Sequence, residues 1–251
     1  MDPTRVPRLR LGLLLWVAGM LGVVVITVTV LPQMLERFPE LPAPLPVLQL
    51  ASLAQSGVLL ALAVWAGVAL GSAVGLRAPA FEAAVTGRPV VPALRPQLLP
   101  GLGAGLLGGA LLHAVGRNMP AALAEVQAQM DLPLLARVLY GGITEELLLR
   151  WGLMTVLVWL AWRFLQRRQG AARATFVWIA IALSAVIFGL GHLPPAVALI
   201  GNLNASQVVF VVGANTVFGL LFGFLYWRYG LESAMLAHAL AHAVAYVANL
   251  A

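Results

Sequence analysis

Long stretches of Leu, Val, Ala and Gly alternate along the chain with short segments rich in Pro and Arg. About 20 predominantly apolar residues cross a bilayer as a helix, whereas a membrane β-strand needs apolar residues at alternate positions, which these stretches lack. The pattern predicts an all-α fold, a polytopic transmembrane helix bundle of about seven helices, or eight if the long fourth span is broken in two. The expected spans are residues 9–31, 48–76, 98–116, 132–165, 175–192, 207–227 and 232–250.

Prolines predict where helices end, and glycines predict where neighbouring helices pack closely. Prolines predict that helices end in the first two linkers, at Pro39, Pro42, Pro44 and Pro46 and at Pro79, Pro89, Pro92 and Pro96. Glycines four residues apart predict faces along which neighbouring helices pack closely. These are Gly101, Gly105 and Gly109 in the third span and Gly219 and Gly223 in the sixth.

The composition agrees with a membrane protein. Hydrophobic residues make up 61% of the 251 residues and charged residues only 10%, which excludes a soluble globular domain. The net charge of +6 comes entirely from arginines, and these lie between the apolar spans and not on a basic face with base-stacking aromatics, so we expect no nucleic-acid partner. The chain has no cysteine, which excludes disulfides, thiolate metal ligands and a cysteine nucleophile.

The distribution of arginines predicts the orientation in the membrane. Arginines accumulate in the segments that face the cytoplasm. With the N-terminus inside, the outside segments hold only Arg37 and Arg117, and the inside segments hold Arg5, Arg8, Arg10, Arg77, Arg88, Arg95, Arg163, Arg167, Arg168, Arg173 and Arg228. We therefore expect a multi-pass protein of a prokaryotic cell membrane, in contact with membrane lipid, with its N-terminus inside and its C-terminus outside. The first span is too long for a signal peptide and is expected to remain as an anchor.

Two adjacent glutamates lie inside the fourth apolar span. Charged side chains at the centre of a bilayer cost about 2.5 to 3.5 kcal/mol each on insertion scales, so their presence indicates a buried functional site. Glu146 and Arg150 are four residues apart and share a helix face, which predicts an ion pair. Glu145 points about 100° away and is expected to act on a substrate, a water or a metal. The alternative interpretation is that both glutamates only cap a broken helix.

Three of the four histidines lie in the last three spans. His192 precedes Pro194 and Pro195, which are expected to end its helix at membrane depth, where broken helices line cavities. His238 and His242 have the i,i+4 spacing with which a helix presents two imidazoles to one zinc ion, although two histidines that bridge polar groups give the same pattern. We expect His113 to be structural or interfacial.

These residues form three motifs that resemble those of the CPBP family, the CAAX proteases and bacteriocin-processing enzymes also called Abi proteins. The motifs are EExxxR at Glu145, Glu146 and Arg150, FxxxH at Phe188 and His192, and a leading histidine at His238. The resemblance begins near Tyr140. It implies that residues 1–251 form a single integral-membrane domain, in which residues 132–251 carry the catalytic motifs and residues 1–131 supply accessory transmembrane helices.

Two positions depart from the family pattern. Trp151 follows the motif arginine where the family commonly has glycine, and Gly152 comes one place later. His242 stands where the family usually has asparagine, whose role is that of an oxyanion donor. The exchange keeps a hydrogen-bond donor, changes its reach and adds a potential metal ligand.

The resemblance implies hydrolysis of a peptide bond within the membrane, in a prenylated CAAX-type or other membrane-associated peptide. We expect Glu145 to take a proton from water, His192 to position that water, and His238 with His242 to stabilise the oxyanion. In a second mechanism, one zinc ion binds to some of Glu145, His192, His238 and His242 and polarises the carbonyl. The sequence leaves the metal requirement, the substrate and the oligomeric state open.

Two other functions remain as alternatives. Buried carboxylates and histidines also build proton or ion paths in transporters, although these spread polar residues across the membrane depth and the early spans contain few. A non-catalytic membrane scaffold would tolerate substitution of Glu145. The single-site hypothesis also faces a geometric difficulty. Measured from the inside ends, Glu145 and His192 lie about 30 Å along their spans and His238 only about 10 Å.

Overall fold

A computed structural model describes residues 6–38, 40–130 and 132–250, which form a bundle of helices without strands. Seven of these helices are long and apolar enough to cross a membrane, which confirms the predicted fold class. They are α1 (Arg8–Thr29), α2 (Leu45–Val74), α3 (Val90–Arg117), α4 (Leu134–Leu165), α5 (Ala174–Ile200), α6 (Ala205–Tyr229) and α7 (Leu231–Ala248). Arg5 and Pro39, which were used to predict the orientation and the first linker, lie outside the described residues.

Short helices occupy three of the connections between the long ones. They are Leu31–Leu35, Pro79–Val85 and Ala121–Ala128. Many leucines and valines of the long helices are exposed on the surface of the bundle, as expected where acyl chains would cover them.

Helix α3 begins at Val90 rather than near residue 98, so the prediction that Pro92 and Pro96 lie in a linker is wrong. Pro92 lies in the first turn, where the backbone nitrogen needs no partner, and Pro96 and Pro100 lie inside the helix. Membrane helices tolerate such prolines because neighbouring groups satisfy the freed carbonyls.

The prolines after His192 end one helical segment and begin another. The first segment of α5 ends at Gly191, as predicted, but Leu193–Ile200 continues as a second segment with the prolines in its first turn. Proline fits that position because its missing N–H would have no partner there. The span therefore extends beyond the predicted end at His192.

Helix α4 is continuous over Leu134–Leu165, so the fourth span is not broken into two helices. Much of it is wound more loosely than an α-helix, with i to i+5 hydrogen bonds in the segments Arg137–Glu145, Leu147–Met154 and Ala161–Leu165. Such π-helical segments are rare and occur often at functional sites.

Helix α4 lies at the centre of the bundle, where it contacts α1, α2, α5, α6 and α7. Its buried side chains Leu147, Trp151, Met154 and Val158 form much of the hydrophobic core. The central position means that polar groups on α4 are shielded from lipid by the surrounding helices.

The glycine faces predicted from the sequence are packing surfaces. A Cβ atom at Gly105 would lie 2.8 Å from Leu240 of α7, and Gly101 and Gly109 face the same helix at Leu236 and Val244. The glycines of α6 face α5, since Gly219 lies against Ala185 and Gly223 against Ile181. Both faces allow backbones to approach closely, as predicted.

A cluster of polar contacts fixes the start of α7. The Glu232 carboxylate accepts hydrogen bonds from the backbone N–H groups of Ala80, at 2.7 Å, and Phe81, at 2.9 Å. The Leu231 N–H donates to the Arg77 carbonyl at 3.1 Å. These contacts tie the beginning of α7 to the connection between α2 and α3, and they set the depth of every residue on α7.

The same connection contains an ion pair outside the spans. The Arg77 guanidinium donates to the Glu82 carboxylate at 2.8 Å, and this hydrogen bond raises the pKa of Arg77. The Gln97 side chain of α3 also contacts the start of α7, since it accepts from the Ser233 N–H at 3.1 Å. The start of α7 is therefore held by α3 as well as by the connection before it.

Candidate active site

The loose winding of α4 brings the two adjacent glutamates towards the same neighbour. In an α-helix, consecutive side chains diverge by about 100°, and a helix with i to i+5 hydrogen bonds reduces that angle. The winding changes between Glu145, which ends one π-helical segment, and Leu147, which begins the next. Both Glu145 and Glu146 approach His238 on α7.

Glu146 lies in a fully buried ion pair with Arg150. Glu146 Oε1 is 3.2 Å from an Arg150 guanidinium nitrogen, and both side chains are at most 1% exposed. The same oxygen is 2.8 Å from His238 Nδ1. The predicted i,i+4 ion pair of Glu146 and Arg150 is thus present. His238, which the spacing did not predict as a partner, contacts the same Glu146 oxygen.

Aromatic rings and one backbone carbonyl surround the Arg150 guanidinium. Its carbon lies 4.8 Å from the centre of the Phe188 ring and 5.5 Å from that of Phe222. One guanidinium nitrogen donates to the Gly219 carbonyl at 3.2 Å. Cation–π contacts and a carboxylate partner offset the cost of burying the charge. Arg150 therefore connects α4, α5 and α6 behind the site.

His238 lies between the two glutamates. An ionised Glu146 can only accept, so Nδ1 of His238 carries the proton and donates it to Glu146. The Nε2 lone pair is then free, and it lies 3.9 Å from Glu145 Oε2. The Phe222 ring stacks on the imidazole at 4.4 Å between centres. A carboxylate that fixes the tautomer in this way makes the opposite nitrogen a better base or ligand.

The Glu145 side chain is partly exposed, unlike that of Glu146. The exposed fraction of the Glu145 side chain is 17%, whereas that of Glu146 is fully buried. A water oxygen about 2.8 Å from both Glu145 Oε2 and His238 Nε2 would fit the 3.9 Å gap between them at a nearly right angle. The adjacent glutamates therefore have different surroundings, in line with the different roles predicted for them.

His192 lies at the break in α5, where the Phe188 ring contacts both His192 and His238. Its Nδ1 is 2.8 Å from the Phe188 carbonyl, which can only accept, so Nδ1 carries the proton and Nε2 is an acceptor. The Phe188 ring packs edge-on against His192 at 4.7 Å and against His238 at 6.2 Å. Phe188 of the second motif thus contacts His238 of the third motif.

His242 stacks beside His238 on α7, with 4.9 Å between ring centres. Its Nδ1 is buried without a hydrogen-bond partner in the described part of the chain. Gly141 of α4 makes room for the ring, since a Cβ there would lie 2.8 Å from His242 Nε2 and 3.5 Å from His238 Nε2. His242 is therefore at the site, although no contact fixes its tautomer.

The sequence placed Glu145 and His238 at different depths, because the inside ends of α4 and α7 were taken to lie at the same level. In the structure these two helix ends are not level. Thr155 of α4 is hydrogen-bonded to Tyr226, near the end of α6, at 2.8 Å. The ten residues of α4 beyond Thr155 would extend about 15 Å further along the helix axis. Glu145 is thus far from the end of α4 and still within 3.9 Å of His238.

The side chains at the site do not form a complete zinc site in this arrangement. In the described residues, no three His, Asp or Glu side chains come close enough together to bind one metal ion. Zinc sites usually have three or four protein ligands, whereas Glu145 and His238 offer two, and the Nδ1 atoms of His192 and His238 have other partners. The zinc mechanism stays a prediction.

Trp151, one of the departures from the family pattern, has a structural role. Its indole N–H donates to the Val64 carbonyl of α2 at 3.2 Å, and its ring packs against Gly67 and Tyr226. His113 likewise lies away from the site, with Nδ1 2.8 Å from the side-chain oxygen of Asn249.

Sequence reasoning missed three contributors to the site: Gly141, Phe222 and Gly219. Gly141 makes room for the two imidazoles, Phe222 stacks on His238, and Gly219 accepts from Arg150. The pair Gly141 and Gly142 one turn before the glutamates was the available signal. Phe222 gave none, because a phenylalanine in an apolar span is ordinary.

Comparison with known protein families bears on the class of this protein. Residues 128–244 match the family model described as Type II CAAX prenyl endopeptidase Rce1-like. The match covers all three motifs and confirms the resemblance to the CPBP proteases. It supports a CAAX-type intramembrane endopeptidase as the class of this protein. No curated protein and no solved structure has significant similarity to the chain.

Proposed function

We propose that the protein is an intramembrane endopeptidase that cleaves prenylated CAAX-type peptides on the C-terminal side of the prenylated cysteine. The observation that carries the proposal is the placement of His238, with one nitrogen on Glu146 and the other facing Glu145. This arrangement can hold and deprotonate one water molecule. A transporter or a scaffold does not require it.

In the proposed reaction, the water donates one hydrogen bond to Glu145 and one to His238 Nε2, so that its lone pair points at the substrate carbonyl. Glu145 takes the proton as the water oxygen attacks the carbonyl carbon. The tetrahedral intermediate then collapses and the C–N bond breaks. Glu145 returns the proton to the leaving amine, so the carboxylate is regenerated.

This assignment gives His238 the role of orienting the water, which the sequence suggested for His192. His192 presents an Nε2 lone pair that accepts a hydrogen bond from the substrate N–H group. His242 donates its N–H to the oxyanion, in the position where the family usually has asparagine. Its buried Nδ1 without a partner supports a role in binding a substrate group.

Glu146 and Arg150 act through His238. The negative charge of Glu146 keeps Nδ1 protonated and Nε2 available, and Arg150 balances that charge inside the bundle. Membrane lipid and a lipidated peptide are the expected partners. Because the site is enclosed by helices, a prenyl chain would enter from the lipid phase.

The test uses purified protein in lipid nanodiscs and three peptides of one sequence: farnesylated at the cysteine of a C-terminal CAAX motif, unmodified, and farnesylated at an internal cysteine. We expect cleavage of the first alone, with release of the three C-terminal residues detected by mass spectrometry. Metal content is measured on the same samples. If correctly folded protein cleaves none of the peptides, the proposal is wrong.

A further inference from the structure

Two adjacent cavities are open on the surface of the bundle, at the end where α2 finishes and α3 begins. The first has a volume of about 610 Å³, and the charged residues in its lining are Arg77, Glu82 and Arg88. The second has a volume of about 770 Å³ and is mostly apolar, with Arg95 as its charged residue. Pro92 lines both cavities, so they are neighbours. The proposed reaction uses neither of them.

The first cavity contains a guanidinium that is held in place and still has donors to offer. Arg88 Nε donates to the Thr86 hydroxyl at 2.9 Å, and that hydroxyl donates to the Glu82 carbonyl at 2.7 Å. The Arg88 side chain is exposed, and its two terminal nitrogens have no partner in the described part of the chain. Such nitrogens bind the oxygens of a phosphate group well, because several donors lie in one plane.

The lining of the two cavities is positively charged. Its three arginines face one carboxylate, that of Glu82, which leaves a net charge of +2. Arg77 is paired with Glu82, but the Arg77 side chain remains 50% exposed whereas that of Glu82 is only 6% exposed. The charged groups that a ligand meets are therefore mainly cations, and the cavities favour an anion.

The second cavity places an apolar surface beside these cations. Its apolar residues recur at intervals of three or four along α3 and so share one helix face; they are Pro92, Pro96, Leu99 and Pro100. Leu99 is 81% exposed. Cations at the end of the membrane spans next to an exposed apolar face match a phospholipid, because its phosphate lies at the membrane surface and its acyl chains lie along the spans.

The connection that lines the first cavity also holds the start of α7. The backbone N–H groups of Ala80 and Phe81 donate to Glu232, and the Arg77 carbonyl accepts from the Leu231 N–H. A ligand that binds Arg77 therefore also restrains the start of the helix that carries His238. Any ligand that binds only the folded protein stabilises it, and here the stabilised contact is the one that positions α7.

We propose that the two cavities bind one anionic phospholipid, with its phosphate at the arginines of the first cavity and one acyl chain along the apolar face of α3. Arg95 lies between the two parts and contributes a third positive charge. The inference does not depend on the proposed function, because it uses none of the residues of the active site. The bound lipid is expected to raise the stability of the folded protein.

The test measures lipid binding to the purified, detergent-solubilised protein by native mass spectrometry. Phosphatidylglycerol is compared with phosphatidylcholine that has the same acyl chains and no net charge. We expect the apparent Kd of wild type to be at least about tenfold lower for phosphatidylglycerol. Arg88→Gln/Arg95→Gln should lose most of this preference. Phosphatidylglycerol should also raise the midpoint of thermal unfolding of wild type more than that of the double variant.

Arg167→Gln/Arg168→Gln is the matched control, because both arginines are exposed at the same end of the bundle and line neither cavity. It loses the same number of charges and should keep the full preference for phosphatidylglycerol. Equal affinity of wild type for the two lipids would overturn the inference. An equal loss of preference in both double variants would also overturn it, since that result would show a general attraction of anionic lipid to this end of the bundle.

A second variant distinguishes a phospholipid from a free phosphate ion. Leu99→Gln removes apolar surface from the second cavity and leaves the three arginines in place. We expect it to weaken binding of phosphatidylglycerol at least about threefold, because an acyl chain would lose its apolar contact. Glycerol phosphate, which has no acyl chain, should compete only weakly with the lipid. If Leu99→Gln binds the lipid as tightly as wild type does, or if glycerol phosphate competes as well as the lipid, the assignment to a phospholipid is wrong.

Discussion

At the scale of single residues, the site depends on one imidazole shared between two carboxylates. His238 has Glu146 on Nδ1 at 2.8 Å and Glu145 near Nε2 at 3.9 Å. The first contact fixes the proton on one side of the ring, and the second leaves room for a reactant. The two glutamates differ in their surroundings, because Glu146 is enclosed with Arg150 and Glu145 is partly exposed.

The buried ion pair gives a prediction about stability. Arg150→Met should destabilise the protein by about 3 to 5 kcal/mol, because it leaves the buried Glu146 carboxylate without its countercharge, and Glu146→Gln should do the same to Arg150. The double variant Glu146→Gln/Arg150→Met removes both charges and should cost much less than the sum of the two. Thermal unfolding in one detergent measures all four proteins.

The double variant should nevertheless lose activity, because a neutral amide beside Nδ1 of His238 no longer raises the basicity of Nε2 as the carboxylate does. Additive losses of stability in the two single variants would show that the charges do not interact, in contradiction to the 3.2 Å contact. An active double variant would mean that His238 does not need Glu146.

The Glu146–Arg150 pair could be predicted from the sequence, because four-residue spacing holds in any regular helix. The approach of both glutamates to His238 could not. It depends on the looser winding of α4 around Glu145 and on the depth of α7, which the contacts of Glu232 set. Neither feature leaves a pattern in the order of apolar and polar residues.

At the scale of helices, the bundle is held by close contacts between glycine faces and large side chains. Helix α3 lies on α7 through Gly101, Gly105 and Gly109, and α7 carries both His238 and His242. The helices that lack motifs therefore help to position those that have them. The expectation that residues 1–131 are accessory stays a prediction.

The contact between α3 and α7 can be tested at Gly105. Gly105→Val should destabilise the protein by about 1 to 3 kcal/mol, because the new side chain would overlap with Leu240 and force the helices apart. Gly103→Val is the matched control, since a Cβ there would meet no atom within 4 Å. Thermal unfolding in one detergent compares them. Equal effects of the two substitutions would contradict the packing.

Most helix ends could be predicted from the apolar stretches, and the errors have one cause. Proline was taken to end a helix, yet Pro92 and Pro96 lie within α3, and two prolines begin the second segment of α5. Proline ends helices in water more strictly than in a bundle, where neighbouring groups satisfy the freed carbonyls. The local sequence does not identify those neighbours.

At the scale of the whole molecule, the two ends of the bundle differ in the number of arginines that they carry. One end carries the connections at Arg77, at Arg167 to Arg173 and at Arg228, and the other carries Arg37 and Arg117. The orientation with the N-terminus inside stays a prediction that follows from this division. If it is correct, Arg137 and the break in α5 lie towards the outside of the membrane.

The absence of cysteine makes this orientation simple to measure. Gln169→Cys, between α4 and α5, should react with a membrane-impermeant maleimide only after cells are permeabilised. Asn202→Cys, between α5 and α6, should react in intact cells. Both positions are exposed, and the unmodified chain serves as the unlabelled control. The opposite labelling pattern would reverse the topology.

The central claim is that Glu145 and His238 together activate a water for peptide-bond hydrolysis. Its most direct test is the cleavage rate of a farnesylated CAAX peptide by wild type and Glu145→Gln, which keeps the shape of the side chain and removes its basicity. Glu125→Gln is the matched control, because Glu125 is exposed on the short helix Ala121–Ala128. We expect wild type and Glu125→Gln to cleave equally, and Glu145→Gln to lose at least about a hundredfold in rate. Cleavage by Glu145→Gln at the wild-type rate would contradict the account.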